Sequence, residues 1–305
     1  MNVQTPVHMM DAQAALGFVQ NQRTYIEPGV LNKPYPEIKY PRLIPVDTSA
    51  PQWAPSVSFY TQDAAGKAKF INGKGDDIPL VNLLRSKYEA TVNMAGIGYS
   101  FSLEEIGAAQ QMGVNLSNDG AEAARFAYER LVDDVAFVGD TTLGTEGLYN
   151  TTGITSVAAA GVWATATADA ILTDINGILT GIMTSSQGVE WANVVVLPLA
   201  EYGAITTRRI GPDTSTTIME FIKKSNVYTA ATGQELVIEG DHRLTNRAVV
   251  YRRDPQVVKI HIPMPLTFIP PQARGLQIDV FGMFRFAPID IRRPGAIRYL
   301  TGIAA

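Results

Sequence analysis

Between Asp119 and Val138 the chain carries one narrow apolar line through a charged segment, and little else in the sequence is as restrictive. Ala124, Tyr128, Leu131, Val135 and Val138 are spaced four, three, four and three, which draws one stripe down a helix. Glu122, Arg125, Glu129, Arg130, Asp133 and Asp134 fill the rest of its surface. At about 1.5 Å per residue the rod is about 30 Å long. A long rod with one greasy edge needs a flat layer to lie on. It reads as a strut across a β-sheet, with Tyr128, Leu131 and Val135 as its core contacts and Asp133 and Asp134 solvated.

The flanks define this element. Upstream, Ser102 with Glu105 makes a capping box, in which the serine oxygen accepts from an early N–H and the glutamate reaches back. Downstream, Gly139, Gly144 and Gly147 punctuate a loop that runs to Asn150. A phosphate-binding loop would need a preceding strand and a terminal Gly-Lys-Ser/Thr. Here a helix precedes and no lysine follows, so the glycines read as a structural turn or an intersubunit loop.

Before the strut, prolines at 28, 34, 36, 41, 45, 51 and 55 forbid a regular helix or central strand. Residues 1 to about 50 therefore read as an extended arm, with one short helix near 14–19 and anchors such as Tyr25, Leu31, Tyr40 and Leu43. Residues 56–101 read as a long hairpin-like excursion. Val57 and Phe59 alternate with polar residues, as do Tyr88, Ala90, Val92 and Met94 on the return. The phase slips beyond Gly96, to Ile97, Tyr99 and Phe101, which predicts a bulge or bend there.

After the glycine loop the texture changes. Ile171 to Met183 marks an amphipathic helix, and Val194–Leu197 is a continuous apolar run expected of a buried strand. Residues 200–209 and 218–222 read as further helices, giving a small α/β layer. From Arg247 the chain is β-rich, with a corner at Pro270-Pro271. The fold class is α+β.

Cysteine is absent from the 305 residues, which excludes disulfides and thiolate chemistry. His8, His242 and His261 show no metal-ligand spacing, and no nucleophile elbow occurs. A net charge of −4 argues against sequence-specific DNA binding. No apolar run reaches the roughly 18 residues of a spanning helix. No signal peptide is evident at the start. Arg208-Arg209, Arg252-Arg253 and Arg292-Arg293 read as salt-bridge or subunit-contact pairs, with nucleic-acid contact as the alternative. No catalytic, cofactor or metal residues are expected.

Five stretches occur in a telling order: Gly66-Lys67-Ala68-Lys69 with Asp77-Ile78-Pro79; Gly98 through Ile106; Ala123 through Glu129; Phe137 through Asn150; and Phe286 through Ile297. In that order they resemble the major capsid proteins of tailed bacteriophages, which have the Hong Kong 97-type capsid fold. The resemblance spans nearly the whole chain. It implies an N-terminal arm (1–55), an extended loop (56–95), a peripheral domain (96–150 and 257–287) built on a spine helix at about 119–138, and an axial α/β domain (151–256 and 288–305).

The implied function is a structural subunit that self-assembles through hexamers and pentamers into an icosahedral head around double-stranded DNA. Scaffolding, portal and decoration proteins are the further partners, and no membrane is involved. The location would be the virion capsid, with assembly in the host bacterial cytoplasm. An encapsulin-type nanocompartment shell and a soluble α/β enzyme are the alternatives. On this reading the intersubunit contact candidates are Lys67, Lys69, Lys74, Asp76, Asp77, Asp140, Glu146, Pro270, Pro271 and Arg274. Some members carry an N-terminal scaffolding segment for which this chain has no room. The lysine–asparagine cross-link of other members is not carried over, because no partner asparagine or catalytic acid matches.

Overall fold

A computed structural model describes residues 35–65, 67, 68, 70, 80–112, 116–211 and 213–304. The chain divides at Glu37, and the architecture below is that of the Ile38–Ala305 unit. The expected short helix near residues 14–19 lies outside the described residues.

A five-stranded sheet lies at the centre. Its order is Thr155–Ala158, Ile297–Thr301, Arg247–Tyr251, Val194–Pro198 and Val237–Asp241, with parallel pairs at both edges and antiparallel pairs inside. Because side chains alternate across a strand, Val194, Val196, Val249, Tyr251, Ile297 and Tyr299 enter one core. Val195, Leu197, Ala248, Val250 and Leu300 enter the other. Burial on both faces explains why Val194–Leu197 is apolar at every position. Helices Ala168–Ser185, Leu199–Thr207, Ile218–Ser225 and Val227–Thr232 belong to the second face. The first of them presents Ile171, Ile175, Ile178, Leu179 and Ile182, the amphipathic face expected from sequence.

A second sheet is built on the ten-residue strand Gln277–Phe286. It pairs along its whole length with Asn93–Ser102, and its other edge takes Met264–Phe268 and Gln272–Arg274 on either side of the Pro270-Pro271 corner. The ladder from Asn93 to Ser102 is unbroken, so the bulge expected at Gly96 does not occur. The phase change falls instead at Val92, a buried residue between two strands. Gly98 has a different reason to be glycine: a Cβ there would lie 2.7 Å from the Val280 carbonyl oxygen.

The long helix runs Leu116–Phe137. Near its start a Cβ at Gly120 would meet the Tyr99 ring at 2.8 Å, so helix and sheet approach closely there. Further on, Tyr128 meets Phe284 edge-on with ring centroids 4.6 Å apart. The expected stripe needs correcting. Tyr128 and Val135 are buried, but Leu131 is 37% exposed and Val138 45% exposed, while Val132 is fully buried. The buried line is Ala124, Tyr128, Val132, Val135, Ala136 and Phe137. It widens toward the C-terminus, and from Tyr128 onward it is part of the first core, together with Phe284 and Phe286 of the sheet.

A three-stranded sheet closes the arrangement. Val46–Asp47 pairs parallel with Val258–His261, which pairs antiparallel with Asp290–Ile291. Ser56–Ala65 and Asn82–Thr91 form a two-stranded ribbon of ten continuous pairs, joined to no other strand among the described residues.

Candidate assembly surfaces

The ribbon is the least covered element. Its return strand is exposed at every position except Ala90. Leu83 and Leu84 are 54% and 61% exposed, and as neighbours in a strand they point to opposite faces. Leu80 and Val81, just before the strand, are also exposed, as are Tyr60 and Tyr88. Ten pairs at about 3.3 Å give a reach of about 30 Å. A two-stranded ribbon is marginal alone in water, and apolar side chains on both faces call for a surface from elsewhere. The sequence did not expect this apolar content. The signal was Leu80-Val81-Asn82-Leu83-Leu84, which lacks the alternation of a half-buried strand.

The root of the ribbon is better held. Phe59 and Tyr88 stack with centroids 5.3 Å apart, and the Arg292 guanidinium lies 4.2 Å from the Phe59 ring centre. A groove of about 480 Å³ separates this root from the glycine loop, with Phe59, Tyr88, Asn93, Leu143 and Ile289 among its lining.

The glycine loop folds back onto the long helix. Leu148 N donates to Ala136 O at 3.0 Å and Tyr149 N to Phe137 O at 2.9 Å, which satisfies late helical carbonyls. Gly139 has φ +82, and a Cβ there would lie 2.2 Å from Thr145 O. Thr142 N donates to Asp140 Oδ1 at 2.7 Å, and Gly147 N to Asn150 Oδ1 at 2.7 Å. The loop's amides thus serve its own turn and the helix end.

The contact candidates do not converge. Lys67 is exposed in the ribbon's connection, and Lys69, Lys74, Asp76 and Asp77 lie outside the described residues. Asp140 caps its own turn, and Glu146 accepts from Thr152 N at 2.8 Å. Pro270, Pro271 and Arg274 are exposed on a separate hairpin, which turns at Gly275 and Leu276. Beside that hairpin the capping box forms as expected: Glu105 N donates to Ser102 Oγ and Ser102 N to Glu105 Oε2.

One buried polar junction escaped the sequence reading. Asp133 is fully buried rather than solvated. Its Oδ1 accepts from Lys39 N at 3.0 Å and Tyr40 N at 2.7 Å, and its Oδ2 accepts from Arg243 at 2.6 Å. Arg243 also donates to Asp134 at 2.8 Å and faces Phe137, 5.5 Å from the ring centre. Tyr149 stacks on Phe137 and donates to Asp241 Oδ2 at 2.9 Å. Burial pushes the Tyr149 phenol well above its usual pKa. The end of the arm, the long helix and the central sheet are thereby tied at one point. These partners lie about a hundred residues apart in sequence, and no local pattern announces them.

Three of the six paired arginines form the expected salt bridges. Arg252 and Arg293 both reach buried Glu190, at 2.8 and 2.5 Å, and Arg292 reaches Asp290 at 2.9 Å. Arg208 instead donates to the carbonyls of Trp163, Ala164 and Ala166. Among the described residues no helix is long and apolar enough to cross a membrane, and no group of three His, Asp or Glu is placed to hold a metal ion.

A family model described as major capsid protein matches residues 66–303. The chain belongs to that family. Its role is that of a structural capsid subunit, and its fold is the Hong Kong 97 type. Solved structures agree on the fold. The capsid of Myoviridae phage XM1 is similar at TM-score 0.79 and 20% identity, covering 93% of this chain and 98% of that one. The capsid of a native GTA particle is similar at TM-score 0.69 and 11% identity, covering 98% and 100%. A virus-like particle from Pyrococcus furiosus is similar at TM-score 0.54 and 14% identity, covering 85% and 90%. A search of curated protein sequences finds no match.

Proposed function

We propose that this capsid subunit builds the icosahedral head of a tailed phage, with hexamers and pentamers enclosing double-stranded DNA without sequence-specific contacts. Residues 56–95 are the extended loop, and its paired strands Ser56–Ala65 and Asn82–Thr91 lie across a neighbouring copy. Residues 96–150 with 257–287 act as the peripheral domain, and residues 151–256 with 288–305 as the axial domain. Residues 1–55 are the arm. Scaffolding, portal and decoration proteins are the further partners of this reading, with assembly in the host bacterial cytoplasm.

The observation that carries this reading is the ribbon itself, about 30 Å long, exposed on both faces and bearing Leu83 and Leu84 outward. Burying what remains exposed of both leucines against neighbouring copies is worth about 2–3 kcal/mol in all, repeated at every subunit of a closed shell. The test is the double substitution Leu83→Ser, Leu84→Ser, read by sedimentation velocity and circular dichroism. The expected result is an unchanged fold with large particles lost or much less stable. Normal particles from the double variant would refute the ribbon's role. The contents of purified particles separate the phage head from a cargo shell on the same fold: DNA supports the first and a co-purifying enzyme the second.

A further inference from the structure

His261 sits at the centre of the three-stranded sheet and is only 2% exposed. A carboxylate faces each of its ring nitrogens. Nε2 lies 3.2 Å from Asp290 Oδ2, within hydrogen-bond reach. Nδ1 lies 3.4 Å from Asp47 Oδ2 but makes no hydrogen bond there. The charged groups around it come from all three strands. Asp47 is on the arm strand, Lys259 on His261's own strand, and Asp290 on the third, with Arg292 just beyond. Lys259 pairs with Asp47 and Arg292 with Asp290, so the four are balanced without the imidazole.

A neutral imidazole has one N–H and serves one carboxylate, while its other nitrogen turns a lone pair toward the second. An imidazolium has two N–H groups and serves both. Histidine is also the side chain that ordinarily changes charge between about pH 5 and 8.

The two carboxylates stand at the two approaches to the ribbon. Asp47 ends the strand from which the chain runs on to Ser56. Asp290 holds Arg292, which stacks on Phe59 inside the ribbon. The path Asp47, His261, Asp290, Arg292, Phe59, Tyr88 thus links the arm strand to the ribbon root through one ring.

We infer that His261 is a proton-operated clamp: protonation adds the missing bond to Asp47, closes the arm strand onto the body and stiffens the root from which the ribbon projects. The window is bounded on the acid side. Asp47 and Asp290 must stay ionised, and both are held below the usual carboxylate range. In each, burial acts to raise the pKa and is outweighed by hydrogen bonds, from Lys259 and Ser49 to Asp47 and from His261 and Arg292 to Asp290.

Hydrogen exchange read by mass spectrometry on the full chain tests the clamp, in whatever assembly state the protein is purified. Ile262 N donates to Asp47 O, and Ile260 N to Pro45 O, so their peptide reports how firmly the arm strand is paired. After correction for intrinsic rates, its exchange should slow by about tenfold from pH 8 to 5.5, the effect of one charge-assisted hydrogen bond. Exchange at the His261 ring C2–H reports independently when the ring is protonated. His261→Gln should abolish the pH dependence. Asp47→Ala, which removes the acceptor and leaves His261 in place, should abolish it too, and it decides the matter if His261→Gln fails to fold. Flat protection in the wild type, or an unchanged pH dependence in Asp47→Ala, would overturn the clamp.

Discussion

Asp133→Ala should be among the most damaging single changes in the long helix. The side chain is fully buried, and three donors lose an acceptor: the amides of Lys39 and Tyr40 and one Arg243 nitrogen. Arg243 keeps Asp134 at 2.8 and 3.0 Å, so its charge is not left alone. The cost therefore falls mainly on the two amides, at about 1–3 kcal/mol each, or about 2–6 kcal/mol in all. That is a large part of the 5–15 kcal/mol by which a typical domain is stable. Asp133→Asn should cost less, because the amide oxygen can still cap Lys39 and Tyr40 while its NH2 faces Arg243 donor to donor. Urea unfolding of dissociated subunits, followed by circular dichroism, gives the magnitudes. Limited proteolysis should show earlier cleavage around Tyr40 in the alanine variant. An Asp133→Ala protein within about 0.5 kcal/mol of wild type, the range of ordinary surface substitutions, would refute the junction as a structural tie.

Two other outcomes follow from the same geometry. Val132→Asp should prevent folding, because an unpaired buried carboxylate costs several kcal/mol; Leu131→Asp, at a position 37% exposed, should give soluble, folded subunit, and equal yields of the two would show the helix rotated from its described face. Asp47 and Asp290 have folded-state pKa values below their unfolded ones, so their stabilisation is present above the usual carboxylate value of about 3.9 and is lost as pH falls through the folded values. Denaturation midpoints should accordingly drop below about pH 4, and Asp47→Asn should flatten that acid limb while lowering stability at neutral pH. An acid limb unchanged by the substitution would contradict the assignment.

What could be read from the sequence was whatever one element's own chemistry dictates. The capping box at Ser102, the helix from Ile171 to Met183 and the all-apolar strand at Val194 each follow from spacing alone, and each is present. The long helix was found, but its buried face was set one residue off. Leu131 and Val132 both suit a 3.6-residue repeat, and only the widening contact at the helix's C-terminal end chooses Val132. Asp133 was misjudged because adjacent acids on a helix usually face water, and its partners come from Lys39, Tyr40 and Arg243. Gly96 drew attention as a bend, whereas the change of phase lies at Val92, where one strand ends and the next begins. The ribbon's exposed leucines were missed because strand patterns are read against a core within the same chain, and this strand has none.

Cryo-electron microscopy of the purified, assembled protein bears most directly on the central claim that the ribbon is an intersubunit element. The account predicts closed shells in which residues 56–65 and 82–91 lie on a neighbouring copy, with Leu83 and Leu84 buried from opposite faces by neighbouring copies. Shells in which both leucines face solvent, or a chain that stays monomeric at high concentration with and without its assembly partners, would contradict it.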